Sequence, residues 1–297
     1  MAKKKKQEVK KQTLSKLRKK YAGSGLGSEI LLPAEQQLWI PSQFLRLNHL
    51  TGGGIPYGKM AEFHGTESSG KSAAAIDFAY SVQQLGGIVL WADVEHSFTD
   101  YWAEANGLEM DKIEIFQETG IEYISDWLAD MVMYYRSILT NNEPILFVFD
   151  SIAAADSVES INESQVDSSA KFGKRAAVFG QMLSLRNEFL YDLGVTSIFV
   201  NQLRDNVGGS KFEDPNKTPG GKAMQFFASI RLGFYGGKTI KGKIDGKERR
   251  VGRHVTIRCV KNKVSVPRET IKASEFYNNM NYHEVGFSKH FGLAEML

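Results

Sequence analysis

Only one cysteine, Cys259, occurs in 297 residues, which excludes an internal disulfide framework and any zinc site built from several thiolates. It sits in Val255-Thr256-Ile257-Arg258-Cys259-Val260, a strand-like stretch, and reads as a packing residue with no catalytic role. No uninterrupted apolar run approaches the roughly eighteen residues of a membrane span. The N-terminus opens on lysines and polar residues without the apolar centre of a signal peptide. A cytoplasmic chain with no membrane partner is the expectation. Internal repeats are absent as well. With 42% hydrophobic and 24% charged residues, the chain carries enough apolar material for one large domain with small appendages.

The net charge of +3 conceals a separation. Residues 1–20 carry ten Lys/Arg against Glu8 alone, +9, so the rest of the chain holds 27 basic and 33 acidic groups, −6. A second basic run comprises Lys238, Lys241, Lys243, Lys247, Arg249, Arg250 and Arg253, opposed only by Asp245 and Glu248. Residues 91–130, by contrast, hold eleven acids and one lysine. Such a division suits an acidic outer face and basic surfaces turned towards a polyanion. The N-terminal lysines alone fit either a solvated tail or an arm on that polyanion.

Apolar runs and helical patterns alternate along most of the chain. Lys59–His64, Gly87–Asp93, Pro144–Asp150 and Val195–Gln202 are near-continuous apolar stretches, as strands buried on both faces require. Helices are expected at 71–85, 98–106, 121–140 and 175–192. The order predicts an α/β fold with a mostly parallel central sheet and crossover helices. From Phe227 the pattern turns to alternating strands around a Lys/Gly-rich turn as far as Val266-Pro267, an antiparallel extension of the sheet. Ahead of the core, Leu14, Leu17 and Tyr21 share helical spacing before the break Ala-Gly-Ser-Gly-Leu-Gly at 22–27. The divisions are thus a basic tail and helix at 1–35, a core at 36–268 and a short segment at 269–297.

Gly65-Thr66-Glu67-Ser68-Ser69-Gly70-Lys71-Ser72 is a G-x-x-x-x-G-K-S phosphate loop between an expected strand and an expected helix. Glycines at both ends let backbone N–H groups turn inward around a triphosphate, Lys71 reaches the terminal phosphates, and the Ser72 hydroxyl is placed for Mg²⁺. The helix after the loop points its positive dipole end at the same phosphates. Asp150 closes the run Ile145–Phe149 and is the acid expected to hold Mg²⁺ or its water. Asp93 and Glu95 end a third such run. Glu95 is the better base for a water in line with the γ-phosphate, and Asp93 takes a supporting role. Gln202 ends a fourth run, where an amide can sense the γ-phosphate and pass its presence to the following loop.

Six segments together resemble the bacterial RecA recombinases in order and spacing: Glu67–Ser72, Asp93-Val94-Glu95-His96, Phe149-Asp150-Ser151, Asn201-Gln202-Leu203-Arg204, Gly220-Gly221-Lys222-Ala223 and Val260-Lys261-Asn262-Lys263. The resemblance spans roughly residues 43–268. It implies a RecA-like ATPase core and an ATP-dependent DNA strand-exchange protein that forms a helical filament on single-stranded DNA, in a compact member of the family. By the same resemblance Glu95 activates the hydrolytic water and Gln202 is the switch. The arginine-finger role, performed by lysine, falls to Lys261 and Lys263, which reach the neighbouring subunit's γ-phosphate. Trp102 stands where the family has a tyrosine stacking near adenine, and the indole keeps the stacking while losing the hydroxyl. Thr99 takes the place of a family aspartate, with Asp100 one residue later.

Two segments are expected on DNA. Glu159–Phe172 is rich in Ser, Asn, Asp and Gln and is followed by Lys174-Arg175. Arg204–Gly221 is glycine-rich and polar, too long and too polar to pack a core, and directly follows Gln202. Within it the N–H groups of Gly208, Gly209, Gly220 and Gly221 can approach phosphates. Arg204, Lys211 and Lys222 supply charge, and Phe212 supplies an apolar face. Binding independent of base sequence follows from such contacts. In the family the N-terminal helix packs on the adjacent core, which here assigns Leu14, Leu17 and Tyr21 to a buried stripe. The residues after Pro267 are expected to be too few for the family's usual C-terminal domain, which gathers duplex DNA: either that module is absent, or the basic turn at Lys238–Arg253 or a partner substitutes for it. A RecA-like regulator of another recombinase and a ring-forming DNA motor are the alternative readings.

Overall fold

The computed structural model describes residues 16, 18–21, 26, 37–162, 168–205, 216–217, 222–244, 246–265, 270–276 and 286–288. The chain divides into two compact units, Met1–Leu38 and Trp39–Leu297. In the first, residues 16 and 18–20 are helical and the Tyr21 side chain is exposed. Leu14 and Leu17 lie outside the described residues, as does most of the expected break at 22–27.

In the second unit the elements run in order β1 (Trp39–Ile40), α1 (Leu45–Thr51), β2 (Ile55–Pro56), β3 (Met60–Gly65), α2 (Lys71–Gln84), β4 (Ile88–Asp93) and α3 (Asp100–Ala105). There follow β5 (Ile113–Phe116), α4 (Ile121–Ile138), β6 (Ile145–Asp150), α5 (Val158–Asn162), α6 (Ser168–Asp192) and β7 (Val195–Gln202). The short strands β8 (Arg204–Asp205) and β9 (Asn216–Lys217) precede α7 (Ala223–Phe227), and β10 (Ile230–Ile244), β11 (Lys247–Asn262), β12 (Thr270–Phe276) and β13 (Gly286–Phe287) complete the order.

Nine of these strands form one sheet in the order β13-β12-β11-β10-β3-β7-β6-β4-β5. The run from β10 to β5 is parallel throughout, and β11, β12 and β13 add antiparallel. Because side chains alternate across a strand, each central strand feeds two cores. Leu146 and Val148 pack with Ala74, Phe78 and Val82 of α2 on one face. Ile145, Phe147 and Phe149 pack with Ile124, Leu128 and Val132 of α4 and Phe179 of α6 on the other. All five β6 residues before Asp150 have no measurable exposure, which explains why the run reads as unbroken apolar sequence rather than alternation.

The four expected parallel strands and the antiparallel extension are present, with boundaries shifted by a residue or so. Three features differ from the sequence reading. β5 is an additional edge strand, half-buried and only four residues long, so its apolar signal is weak. α6 begins at Ser168 rather than near 175; once its packed part is fixed, extension through proline-free sequence adds a backbone bond per residue. Finally, the sheet continues past residue 268, because β12 pairs with β11 from Arg258↔Thr270 to Gly252↔Phe276.

Candidate functional site

The parallel register brings the carboxyl ends of β3 and β7 level with one another, and likewise those of β4 and β6. Gly65 of β3 is opposite Gln202 of β7, and Asp93 of β4 is opposite Asp150 of β6. The outer ends of parallel strands are where α/β sheets bind ligands. Here the sheet itself sets the spacing of the candidate residues.

The loop from β3 to α2 requires glycine at both ends. A Cβ on Gly65 would sit 2.2 Å from the Phe234 carbonyl oxygen and 2.9 Å from Ser69 Oγ. Gly70, which caps α2, has φ 93° in the left-handed region. No side chain caps that helix, so its first N–H groups face the loop. Ser68 also takes a positive φ of 52°, a conformation held against its intrinsic cost. Ser69 Oγ donates to the Thr66 carbonyl at 2.8 Å. Lys71 is buried, and its Nζ donates to the carbonyls of Thr66 at 2.7 Å and Gly65 at 3.3 Å.

Ser72 Oγ donates to Asp150 Oδ2 at 2.7 Å. Asp150 is 3% exposed, and burial pushes its carboxyl up to about 7, with the Ser72 hydrogen bond opposing and the Glu95 charge adding to the rise. A hydroxyl and a carboxylate meeting in a buried corner are a hard-oxygen pair. Two protein oxygens with room for water suit Mg²⁺, which keeps most of its hydration shell. Among the described residues no three or more His, Cys, Asp or Glu side chains cluster into a cage for a tightly enclosed metal.

Glu95 lies beside this pair. Its Oε1 accepts from Gln202 Nε2 at 2.6 Å and from the Ser151 hydroxyl. Its backbone N–H, with that of Val94, donates to the Asp150 carbonyl at 3.3 and 2.8 Å. Asp93 is fully buried and organises the turn that presents Glu95: its carboxylate accepts from the N–H groups of Ser97 at 2.9 Å and Phe98 at 3.2 Å, and from Gln117 Nε2 at 3.0 Å.

A cavity of about 410 Å³ opens over residues 68–72 and is walled by Trp102, Arg250 and Arg253. Trp102 is therefore where a stacking residue is expected. Asp100 is not in that wall; it begins α3, exposed, with Oδ1 accepting the Tyr101 N–H at 2.7 Å. The difference follows from Thr99, whose hydroxyl caps α3 by accepting the Trp102 N–H, fixing the turn so that the indole rather than the aspartate faces the loop. Arg250 and Arg253 belong to no motif, and only the strand pairing of β10 and β11 brings them here.

Among the residues expected on DNA, Arg175 has its side chain turned inward. It is 9% exposed and its Nη1 donates to the Ala153 and Ala155 carbonyls at 3.2 and 3.5 Å, so its charge pins the turn after β6 instead of facing outward. Lys174 pairs with Glu159 at 3.1 Å near the surface, and Lys222 is exposed. Gly208, Gly209, Lys211, Phe212, Gly220 and Gly221 lie outside the described residues, and of Arg204 only the backbone, in β8, is described. Lys261 and Lys263 stand at the end of the antiparallel edge, away from the wall of this cavity. Lys261 Nζ donates to the Gln225 and Phe226 carbonyls at 2.6 and 3.3 Å, and desolvation together with the Lys263 and Arg231 charges holds its ammonium below the usual lysine range.

No described helix is long and apolar enough to cross a membrane. The model of the RecA N-terminal domain matches residues 9–280. Protein RecA of Saccharopolyspora erythraea is 33% identical over 273 residues, 91% of this chain and 72% of that protein. The corresponding protein of Mycobacteroides abscessus is 34% identical with the same coverage. Protein RecA of Corynebacterium urealyticum is 35% identical over 239 residues, 80% of this chain and 60% of the relative. With a family match over nearly the whole chain and a mostly parallel sheet carrying an antiparallel edge, this protein belongs to the RecA family.

Proposed function

We propose that the chain is a DNA strand-exchange recombinase that assembles as a helical filament on single-stranded DNA, pairs it with duplex DNA, and hydrolyses ATP between subunits. One observation supports this reading most: Gln202 Nε2 is hydrogen-bonded to Glu95 Oε1 at 2.6 Å. The residue that precedes the glycine-rich segment proposed to meet DNA thereby touches the carboxylate proposed to activate water.

Glu95, held at Oε1 by Gln202 and Ser151, keeps its other oxygen for the proton of an attacking water. Lys71 exchanges its loop carbonyls for terminal phosphate oxygens, and the backbone N–H groups at the start of α2 take the remaining charge. Ser72 and Asp150 would hold Mg²⁺, which when bound neutralises charge across the β- and γ-phosphates. Lys261 and Lys263 act on the nucleotide of the neighbouring subunit, so turnover waits for assembly. DNA bound at the segment after Gln202 moves that amide and sets how Glu95 holds its water.

ATP turnover by the full chain, measured with and without single-stranded DNA and followed by electron microscopy of the assemblies, tests this. Stimulation by DNA together with open helices is the expected result. Equal turnover in both conditions overturns the proposal; closed rings identify a motor, and filaments that fail to exchange strands identify a regulator.

A further inference from the structure

β10 and β11 continue as a two-stranded ribbon well beyond the sheet. Their inner halves bury Leu232, Phe234, Val255 and Ile257, whereas beyond Gly252, among the described residues, β11 pairs with β10 alone. The ladder slips where the ribbon leaves the sheet. Ile240 is opposite Gly252 but Lys241 is opposite Arg250, so Val251 is an extra residue on β11. An extra residue resets the alternation of side chains. Val251 and Gly252 both turn inward and are buried, while Arg250 and Arg253, three apart, emerge on one side.

That side faces the loop before α2. Arg253 Nη1 donates to the Ser68 carbonyl, and both arginines wall the cavity that the loop residues 68–72 and Trp102 complete. With Lys71 they make three cations around a space whose lining contains no carboxylate. The composition favours a polyanion over a neutral ligand, and guanidinium groups match phosphate oxygens in pairs.

We infer that Arg253, assisted by Arg250, is a phosphate-binding residue of the same chain's nucleotide site, bringing the β10–β11 ribbon onto the polyphosphate held by the loop and Lys71. This rests on the loop being a triphosphate site, as proposed above. It differs from the role of Lys261 and Lys263, which act on another subunit's nucleotide, and it assigns two residues of the basic ribbon to nucleotide instead of DNA.

The test uses the full chain, free of DNA, with a fluorescent ATP analogue displaced by unlabelled ATP, by inorganic tripolyphosphate or by adenosine. Arg253→Gln is expected to weaken ATP and tripolyphosphate roughly tenfold or more, as loss of a charged hydrogen bond does, with adenosine displacement unchanged. Arg253→Lys should recover part of the loss, and Arg250→Gln should show a smaller one. Unchanged tripolyphosphate affinity in Arg253→Gln overturns the inference, as does an equal loss for adenosine, which would mean a structural defect. Should Arg253→Gln fail to fold, Arg253→Lys and Arg250→Gln carry the same comparison. A parent protein that ignores ATP, with Lys71→Ala no different, brings down the nucleotide site itself and not merely this assignment.

Discussion

Glu95 and Asp150 are two carboxylates at or near strand ends, and their surroundings give them opposite tasks. Glu95 is fixed by donors at one oxygen, so Glu95→Gln preserves the shape while removing the proposed proton acceptor. Its turnover should fall by about 100-fold or more while ATP affinity stays near the parent value, read by single-turnover hydrolysis and nucleotide binding. Asp150, pushed up to about 7 by burial, binds its proton more tightly folded than unfolded. Its contribution to stability is present in acid and is lost as pH rises from about 4, the unfolded value, through about 7. In magnesium-free buffer, Asp150→Asn should therefore flatten the decline in urea midpoint across that interval; a decline as steep as the parent's would show that another group titrates. Among single residues, the sequence disclosed those whose neighbours in the chain define a motif. It did not disclose Arg253, whose role depends on one inserted residue in a ladder, nor that Arg175 turns inward to the Ala153 carbonyl, because a lone arginine in a polar segment reads the same whether buried or not.

At the scale of elements, β6 ties the site to the core. Phe149 precedes Asp150 and stacks on Phe199, with centroids 5.9 Å apart, while Phe147 and Phe179 meet both rings edge-on. Phe149→Ala should cost about 3–5 kcal/mol in chemical denaturation, since it removes a fully buried ring from a cluster of four. β7 is the other connection. Gln202→Ala removes the donor to Glu95 and should leave basal turnover measurable while single-stranded DNA no longer raises it; full stimulation in that variant would detach the segment after β7 from the chemistry. The buried strands were legible because both their faces are covered, which forces unbroken apolar runs. β5 was not, since a four-residue edge strand with exposed positions carries little periodicity. β12 escaped for a related reason: Thr270 and Lys272 are exposed between and beside buried Ile271, Ala273 and Ser274, and its partner across the ladder is visible only in three dimensions.

For the whole molecule, Lys261 and Lys263 are absent from the lining of their own chain's cavity, and the proposed assembly would bring them to a neighbour's. Lys261→Ala and Glu95→Gln should each be nearly inactive alone. Mixed in equal amounts on single-stranded DNA they should recover roughly a quarter of parental turnover, because a random filament restores intact contacts between unlike neighbours. No recovery would confine both groups to one subunit. The parallel half of the sheet places the phosphate loop, Asp150, Glu95 and Gln202, and that half was readable from sequence order alone; the antiparallel half carries Arg250, Arg253 and Lys261, whose destinations only the folded chain reveals. Beyond Gly252, the outer rungs of the ribbon between Gly242 and Arg249 pair, among the described residues, only with each other. Trimming those rungs to a tight turn should leave the melting temperature of the molecule where it is, making this tip a place to attach a probe that reports on nucleotide without disturbing the fold.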